Sequence, residues 1–433
     1  MSELRERLRN LRAVRRPIEP IRYEAFPPDS DAPQPLEALA PGEVFDTPHG
    51  KSYVVRTNHT PDHSHGSGTL HDWLGQNLSG AAAFTNDSRL AQVAPDRCVF
   101  LDTETTGLNA GAGTLVFLVG LGLFTESGFE VRQYFLRDPG EEPAMLHAIR
   151  EVLDGCDALV TFNGRSFDMP LLDARYVINR QHLPVSRWPN LDLLFPARRL
   201  WKRRLQSCRL VALETAILGV RRAGQDVPGW LIPQLYHEYL ATGDARQMSR
   251  VMYHNLYDVL SMVTLATTVC QTFAQSYAPA TIGPAADTLP QDDLLSLARW
   301  YESLGKVQEA EGAYQSALRA ARHENDQRLC LQGLANLFKR QERLAEAEPL
   351  WQTLVALSPG DPDPCLELAK YHEWSTHELG MALIWTDAAL QANARRNSPY
   401  LQQMAAQEIA RRRERLLRKL GKVGPDSQAS AGN

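Results

Sequence analysis

The feature that most constrains the fold of this 433-residue chain is a short apolar run that ends in two carboxylates. It reads Cys98-Val-Phe-Leu-Asp102-Thr-Glu104-Thr-Thr-Gly107. Side chains two apart on a strand share a face, so Asp102 and Glu104 are predicted to lie side by side where a buried strand ends. Adjacent carboxylates repel, and Mg²⁺ or Mn²⁺ between them would relieve that repulsion. The alternative is a strand that simply runs into a polar turn.

Length and composition limit the remaining possibilities. A chain of 433 residues exceeds one hydrophobic core, so two or three domains are expected. A net charge of −5 means that any nucleic-acid site must be a local basic patch. The six dispersed cysteines predict reduced thiols rather than disulfides or a zinc site. No run has transmembrane length and no secretory signal is evident, so we expect a cytoplasmic protein with no membrane partner.

Residues 1–95 are predicted to form an N-terminal helix followed by a loop-rich segment. Leucines at helical spacing within residues 1–16 alternate with arginines, so this helix either docks on the body or forms a nucleic-acid arm. Two short strands are expected at Glu43–Asp46 and Ser52–Arg56. Five irregularly spaced histidines without cysteine partners favour a polar loop over a metal site: His49, His59, His63, His65 and His71.

Residues 96–275 have the element order of an α+β domain. After the strand that ends at Asp102 come two β-rich runs, Leu115–Phe124 and Phe129–Leu136, which predict a hairpin around Glu-Ser-Gly. A helix near Glu142–Leu153, a strand at Ala158–Phe162 and a short strand at Asn190–Leu194 follow, and the rest is mainly helical. Strands followed mostly by helices are typical of α+β folds.

Two later segments carry further acidic residues. Asn163-Gly-Arg-Ser-Phe-Asp168 follows a predicted strand, and Asp168 either caps the next helix or faces the cleft at the strand end. Farther on, His254 and Asp258 are four residues apart on a predicted helix and therefore share a face. Alone, such a pair is more often a surface pair; beside the other carboxylates we interpret it as part of the site.

In this order the three segments resemble the three motifs of the DEDD superfamily of 3′–5′ exonucleases, which have a ribonuclease-H-like fold. Residues of about 1–275 resemble the bacterial YprB-like exonucleases, which fuse this domain to tetratricopeptide repeats. In the superfamily, the third motif places histidine five residues before the last aspartate or tyrosine four before it. This chain has Tyr253 and His254 at those positions, the reverse of both patterns. The identity of the general base therefore stays open at this stage.

The four carboxylates define a coherent chemistry. Asp102, Glu104, Asp168 and Asp258 are suited to two Mg²⁺ or Mn²⁺ ions, which together stabilise the attacking and leaving oxygens of a phosphodiester. His254 is placed to accept a proton from the attacking water.

A basic run between the second and third motifs is a candidate nucleic-acid surface. Its arginines and lysine would bind phosphates and its tryptophan would stack on a base; the alternative is a solvated helix with the tryptophan packed inward. The run comprises Arg198, Arg199, Trp201, Lys202, Arg203, Arg204 and Arg209.

A Pro/Ala/Gly-rich linker at 276–290 is predicted to separate this domain from an all-α domain at 291–423. Small and aromatic residues recur there at the spacing of tetratricopeptide repeats, which are helical hairpins of about 34 residues. A last helix is expected at about 400–420, and residues 424–433 are expected to be disordered. Such repeats either bind a partner protein or stabilise the nuclease domain as a helical lid.

The leading hypothesis is a metal-dependent 3′–5′ exonuclease. A DNA substrate, a repair role and a DEAD/DEAH-type helicase partner are implied by the resemblance alone. An RNA-processing exonuclease is the alternative within the same chemistry. A repeat-based scaffold with a vestigial nuclease fold is the alternative outside it.

Overall fold

The structure is a computed structural model that describes residues 32–60, 62–107, 113–222, 226–274, 289–396 and 398–422. The predicted helix at 1–16, the tail at 424–433 and all but the last two residues of the predicted linker lie outside these ranges. We call residues 32–274 the α/β domain and residues 289–422 the repeat domain. No helix in the described ranges is both long enough and apolar enough to cross a membrane.

A seven-stranded mixed sheet forms the centre of the α/β domain, in the order β1-β2-β7-β6-β5-β8-β9. Every neighbouring pair from β1 to β5 in this order is antiparallel: β1 with β2, β2 with β7, β7 with β6, and β6 with β5. The pairs β5 with β8 and β8 with β9 are parallel. A separate two-stranded ribbon contains β3 and β4. The strands are β1 Glu43–Thr47, β2 Gly50–His59, β3 Ser64–His65, β4 Gly68–Thr69, β5 Cys98–Thr105, β6 Val116–Thr125, β7 Gly128–Phe135, β8 Ala158–Thr161 and β9 Asn190–Asp192.

The predicted strands are found close to their expected bounds, and the β6–β7 hairpin turns at Glu126 and Ser127 as expected. The two N-terminal strands, β1 and β2, belong to the central sheet. β2 pairs with β7 along seven residues, from Tyr53 opposite Phe135 to His59 opposite Phe129. Part of the segment before residue 96 therefore extends the central sheet.

Helices cover both faces of the sheet. On β5, Cys98 and Phe100 pack into a core that also contains the later part of α8, whereas Val99 and Leu101 pack into the core of α3 and α4. The helices of the α/β domain are α1 Leu36–Leu39, α2 Ser79–Thr85, α3 Glu142–Asp154, α4 Asp168–Ile178, α5 Leu194–Trp201, α6 Leu210–Leu213, α7 Ile232–Thr242 and α8 Arg246–Ala274, with a π-helical turn at Glu214–Leu218.

The repeat domain is a stack of antiparallel helices, as the repeat spacing predicted. Its last helix occupies Pro399–Lys422, close to the predicted 400–420. The helices are α9 Gln291–Ser303, α10 Val307–Ala320, α11 Glu324–Arg340, α12 Leu344–Leu357, α13 Asp363–Trp374, α14 Leu379–Ala394 and α15 Pro399–Lys422.

The two domains share one hydrophobic core. The Trp300 ring on α9 lies 4.9 Å from Phe84 and 4.8 Å from Phe273, measured between ring centroids. The Tyr301 hydroxyl donates a hydrogen bond to the Phe273 carbonyl oxygen at 2.7 Å. Because one buried cluster runs from β5 through α8 into α9 to α13, the first hairpins of the repeat domain act as a structural part of the α/β domain.

We predict that Trp300→Ala destabilises both domains together. Trp300 is 4% exposed, and truncating a buried tryptophan typically costs about 3–5 kcal/mol. Trp230, which is 72% exposed, is the matched control, and Trp230→Ala should change the unfolding free energy by less than about 0.5 kcal/mol. Calorimetric unfolding should show a lower melting temperature for the whole Trp300→Ala protein. An unchanged transition of the α/β domain would contradict the shared core.

Candidate active site

Asp102 and Glu104 lie at the carboxyl end of β5, where the parallel strands β8 and β9 also end. They alternate with Thr103 and therefore share the face of Cys98 and Phe100, as predicted. Asp102 Oδ2 accepts a hydrogen bond from Asn255 Nδ2 on α8 at 2.8 Å. The Glu104 side chain is 12% exposed, and Asp102 is partly buried.

Asn255 reaches Asp102 because the neighbouring strand lacks a side chain at Gly120. A Cβ atom built on Gly120 would lie 2.3 Å from Asn255 Oδ1, closer than any real contact. The same Oδ1 accepts a hydrogen bond from Gln133 Nε2 on β7 at 2.9 Å. Gln133 and Asn255 together hold the Asp102 carboxylate in one orientation, and sequence analysis did not single out either residue.

Asp168 is the first residue of α4 and is buried. It does not cap the helix, because Phe167 holds the N-cap position and no side-chain cap bond forms there. Instead, Thr103 Oγ1 donates a short hydrogen bond to Asp168 Oδ1. This bond joins the second acidic segment to the strand that carries Asp102 and Glu104.

The loop before Asp168 has a strained start. Asn163 has φ of 69°, and a Cβ atom on Gly164 would lie 2.5 Å from the Thr161 side chain, so this turn favours asparagine and glycine. The buried Asp192 carboxylate at the end of β9 accepts hydrogen bonds from the backbone N–H groups of Asn163 at 2.8 Å and Arg165 at 3.1 Å. Asp192 thus fixes the loop, a role that the sequence did not reveal.

The third acidic segment brings His254 and Asp258 to the same cluster. His254 Nε2 lies 4.0 Å from Glu104 Oε1 and 3.6 Å from Asp258 Oδ2. The Tyr253 ring lies instead against Tyr257, with 4.3 Å between ring centroids. The helix therefore directs position 254 toward the carboxylates, because residues 254 and 258 are one turn apart on α8.

Two charged residues outside the predicted motifs complete the site. Asp226 Oδ1 lies 2.7 Å from His254 Nδ1 and can accept its hydrogen, which leaves Nε2 facing Glu104 and Asp258. The buried Arg222 guanidinium donates to Asp258 and to Glu214, the latter at 2.8 Å from Nε to Oε2. Neither residue stands in a recognisable motif, so only the folded chain shows that they belong here.

The carboxylates perturb one another strongly. Burial, Asp258 and Asp168 raise the pKa of Asp102 well above its usual range, and burial and Asp102 do the same for Glu104. Burial raises the pKa of Asp168 to about 6, although the Thr103 hydrogen bond opposes the shift. Burial lowers the pKa of His254, but Asp258 and the Asp226 hydrogen bond outweigh it, and the net pKa is raised. The site is thus rich in buried negative charge that a cation would stabilise.

This donor set fits a hard divalent cation. Carboxylate oxygens without cysteine partners match Mg²⁺ or Mn²⁺. Among the described residues, however, no three His, Cys, Asp or Glu side chains are close enough to enclose a metal ion. One of the Asp258 oxygens, Oδ1, is instead paired with the Arg222 guanidinium.

Part of the prediction for the basic run is wrong. Trp201 is 3% exposed and packs in the shared core, so it does not offer its ring to a base. Arg203 and Arg204 form ion pairs with Asp292 and Asp293 at the start of α9, so they join the two domains. Sequence analysis missed this because the partners lie about 90 positions away. The remaining basic side chains are exposed: Arg198, Arg199, Lys202 and Arg209.

Comparisons with known proteins agree with this architecture. Residues 99–270 match the family model of the RNase_H superfamily, and residues 294–328 match a tetratricopeptide repeat. "Uncharacterized protein YprB" of Bacillus subtilis (strain 168) is 33% identical over 291 residues, which cover 66% of this chain and 67% of that protein. The chain therefore belongs to the family of YprB, and its residues 99–270 form a domain of the RNase_H superfamily. The predicted ribonuclease-H-like domain followed by tetratricopeptide repeats is confirmed.

A solved structure was also found to be similar. The family B DNA polymerase of the hyperthermophilic archaeon Pyrobaculum calidifontis aligns with a TM-score of 0.32 and 17% identity. The alignment covers 55% of this chain and 29% of the polymerase chain.

The raised pKa of Asp168 predicts how stability depends on pH without added metal. A folded-state pKa of about 6, against an ordinary value of 3.8, means that the folded state holds this proton more tightly. The resulting stability is present at low pH and is lost as pH rises through about 6. Asp168→Asn removes the charge. The melting temperature of the variant minus that of the wild type should therefore increase as the pH is raised from 4.5 to 7.

The measurement is thermal unfolding in EDTA across that pH range. Asp46→Asn, at an exposed position on β1, is the control and should track the wild type at every pH. A constant difference between Asp168→Asn and the wild type across the range would show that Asp168 is not electrostatically strained.

Proposed function

We propose that this protein is a metal-dependent 3′–5′ exonuclease that hydrolyses phosphodiester bonds. The observation that carries the proposal is the convergence of Asp102, Glu104, Asp168 and Asp258 at one edge of the sheet. His254 Nε2 lies within 4.0 Å of Glu104 and Asp258. Such a cluster, with a nitrogen base beside it, suits hydrolysis of a phosphate ester assisted by metal ions.

The four carboxylates would hold two Mg²⁺ or Mn²⁺ ions. When bound, the ions would lower the pKa of the attacking water and stabilise the charge on the leaving oxygen. The chain's own residues would orient the reaction. Asn255 and Gln133 fix Asp102, Thr103 fixes Asp168, and Asp226 fixes the His254 ring so that its Nε2 can accept the proton of the water.

A DNA substrate and a repair role follow only from the family resemblance, and RNA hydrolysis by the same site is the alternative. A DEAD/DEAH-type helicase partner has the same basis. Because the core shared with the α/β domain extends to Leu368 on α13, a protein partner would meet the last two helices, α14 and α15.

Asp102→Asn is expected to abolish cleavage. The substitution removes one ligand charge but keeps the shape of the side chain. The amide oxygen of the new asparagine can still accept the hydrogen bond from Asn255 Nδ2. We expect a fall of at least about 10³-fold, with folding retained. Purified protein should be incubated with Mg²⁺ or Mn²⁺ and end-labelled single- and double-stranded DNA and RNA. The label position reports polarity, and the sugar preference separates the DNA and RNA hypotheses.

Asp46→Asn is the control and should cleave at the wild-type rate. Cleavage by Asp102→Asn at the wild-type rate would overturn the two-metal proposal. A wild-type protein that degrades no nucleic acid with either metal would favour the vestigial scaffold.

His254, rather than Tyr253, is expected to be the general base. His254→Ala should cost roughly 10²–10⁴-fold in single-turnover rate, the usual contribution of positioned acid–base catalysis. Tyr253→Phe should cost less than threefold. Because the pKa of His254 is raised and a base acts only when deprotonated, the wild-type rate should increase with pH, with the rise centred above the ordinary histidine pKa of 6.5. Rates of both variants over a pH series test this, and a reversed pattern would assign the base to Tyr253.

A further inference from the structure

A cleft of about 330 Å³ lies where the α/β domain meets the first helix of the repeat domain. One wall is formed by α5 and by the loop after β8. The other is formed by Trp300, Ser303 and Leu304 at the end of α9. The cleft therefore depends on both domains, and the shared core around Trp300 holds its walls together.

The cleft opens at the same edge of the sheet as the carboxylates. Asp192, the last residue of β9, and Arg165, in the loop that leads to Asp168, both line it. β5, β8 and β9 are neighbouring parallel strands, so their carboxyl ends lie on one edge, about 5 Å apart per step. The end of β9 is thus roughly 10 Å from the end of β5. A flexible polymer with its terminus at Asp102 and Asp168 can reach this distance.

The lining of the cleft suits a phosphate backbone with exposed bases. Arg165 and Arg199 are exposed and make no side-chain hydrogen bond or ion pair within the described part of the chain. The oxygens of Asp192 are taken by backbone N–H groups, including that of Leu194 at 3.1 Å. Phe195, at the start of α5, is 49% exposed and offers an aromatic ring at the cleft.

A ring can stack only on an unpaired base, since bases in a duplex stack on one another. The cleft volume of about 330 Å³ lies within the range of pockets that bind small ligands, so it is large enough to bind part of a single strand. We propose that this cleft binds single-stranded nucleic acid on the side of the cleaved bond away from the 3′ end, with Arg165 and Arg199 on phosphates and Phe195 on a base. This inference rests on the proposed function, because that function supplies the strand whose end lies at the carboxylates.

The proposed single strand occupies one of two adjoining cavities. A second cavity of about 500 Å³ adjoins the cleft and shares Thr85 and Arg165 with it, but it also contains Asp87 and Asp173. Arg89 in that cavity is already paired with Asp87 at 2.7 Å. Carboxylates repel phosphates, so the proposed strand occupies the first cleft and not the second.

The test is equilibrium binding by full-length protein in the non-cleaving Asp102→Asn background. The probes are fluorescent 12-nucleotide oligo(dT), oligo(U) and a 12-base-pair DNA duplex, with affinity measured by anisotropy at several salt concentrations. The first variant carries Phe195→Ala, and the second carries Arg165→Gln with Arg199→Gln. The charge-matched control carries Arg395→Gln with Arg411→Gln, both at exposed positions in the repeat domain.

Phe195→Ala should weaken single-strand binding about 5- to 150-fold, the range for loss of one base–aromatic stack. The double arginine variant should flatten the slope of log affinity against log salt by about 1.4, since each phosphate contact contributes about 0.7 for single strands. The control should stay within threefold, and the duplex should be affected by neither cleft variant. The dT and U probes report whether the cleft distinguishes DNA from RNA.

Single-strand affinity equal in the cleft variants and the control would overturn the cleft assignment. It would do so even if the wild-type protein proves to be an exonuclease. Conversely, cleft-dependent binding by a wild-type protein that cleaves nothing would support the cleft and refute the proposed function. Failure of the Asp102→Asn protein to bind any single strand would overturn the inference directly.

Discussion

The site depends on one electrostatic constraint, which is that several buried carboxylates must be held close together although they repel. Burial and mutual repulsion raise the pKa of Asp102 and Glu104 well above the ordinary range. Neighbouring residues oppose that repulsion without neutralising all of it. Asn255 and Thr103 donate hydrogen bonds to two of the carboxylates, and Arg222 pairs with Asp258. Under the proposed function, a divalent cation would relieve a cost that the fold already imposes.

The rigid frame behind the carboxylates explains how the fold sustains this cost. The residues that orient the site come from different elements: Gln133 from β7, Asp192 from β9 and Asn255 from α8. Each is buried and bonded to more than one partner, so small rotations of the carboxylates would break several hydrogen bonds together. Gly120 and Gly164 belong to the same frame, since a side chain at either position would displace Asn255 or Thr161.

The first helices of the repeat domain are packed in the core of the α/β domain, which gives them a structural role. Tetratricopeptide arrays often act as separate binding modules, yet here α9 closes the core beneath β5 and α8. The Arg203–Asp292 and Arg204–Asp293 ion pairs border this contact, and the cleft between the domains exists only because α9 is docked. The sequence left a partner-binding module and a structural lid open, and the contacts of α9 favour a structural role for the first hairpins.

Local pattern was sufficient to predict an α+β domain followed by helical repeats, whereas the ribonuclease-H-like fold and the grouping of the three acidic segments were implied by the resemblance of their motifs to a known superfamily. Period-2 and period-3.6 hydrophobicity and motif spacing are properties of short stretches, so they can be read before folding. The sequence did not reveal that Trp201 is buried, that Arg203 and Arg204 face α9, or that Arg222 and Asp226 enter the site. Those facts depend on residues up to about 90 positions apart meeting through packing. The tertiary structure alone decided them, because burial and ion pairing are set by which surfaces dock and not by the local identity of a residue.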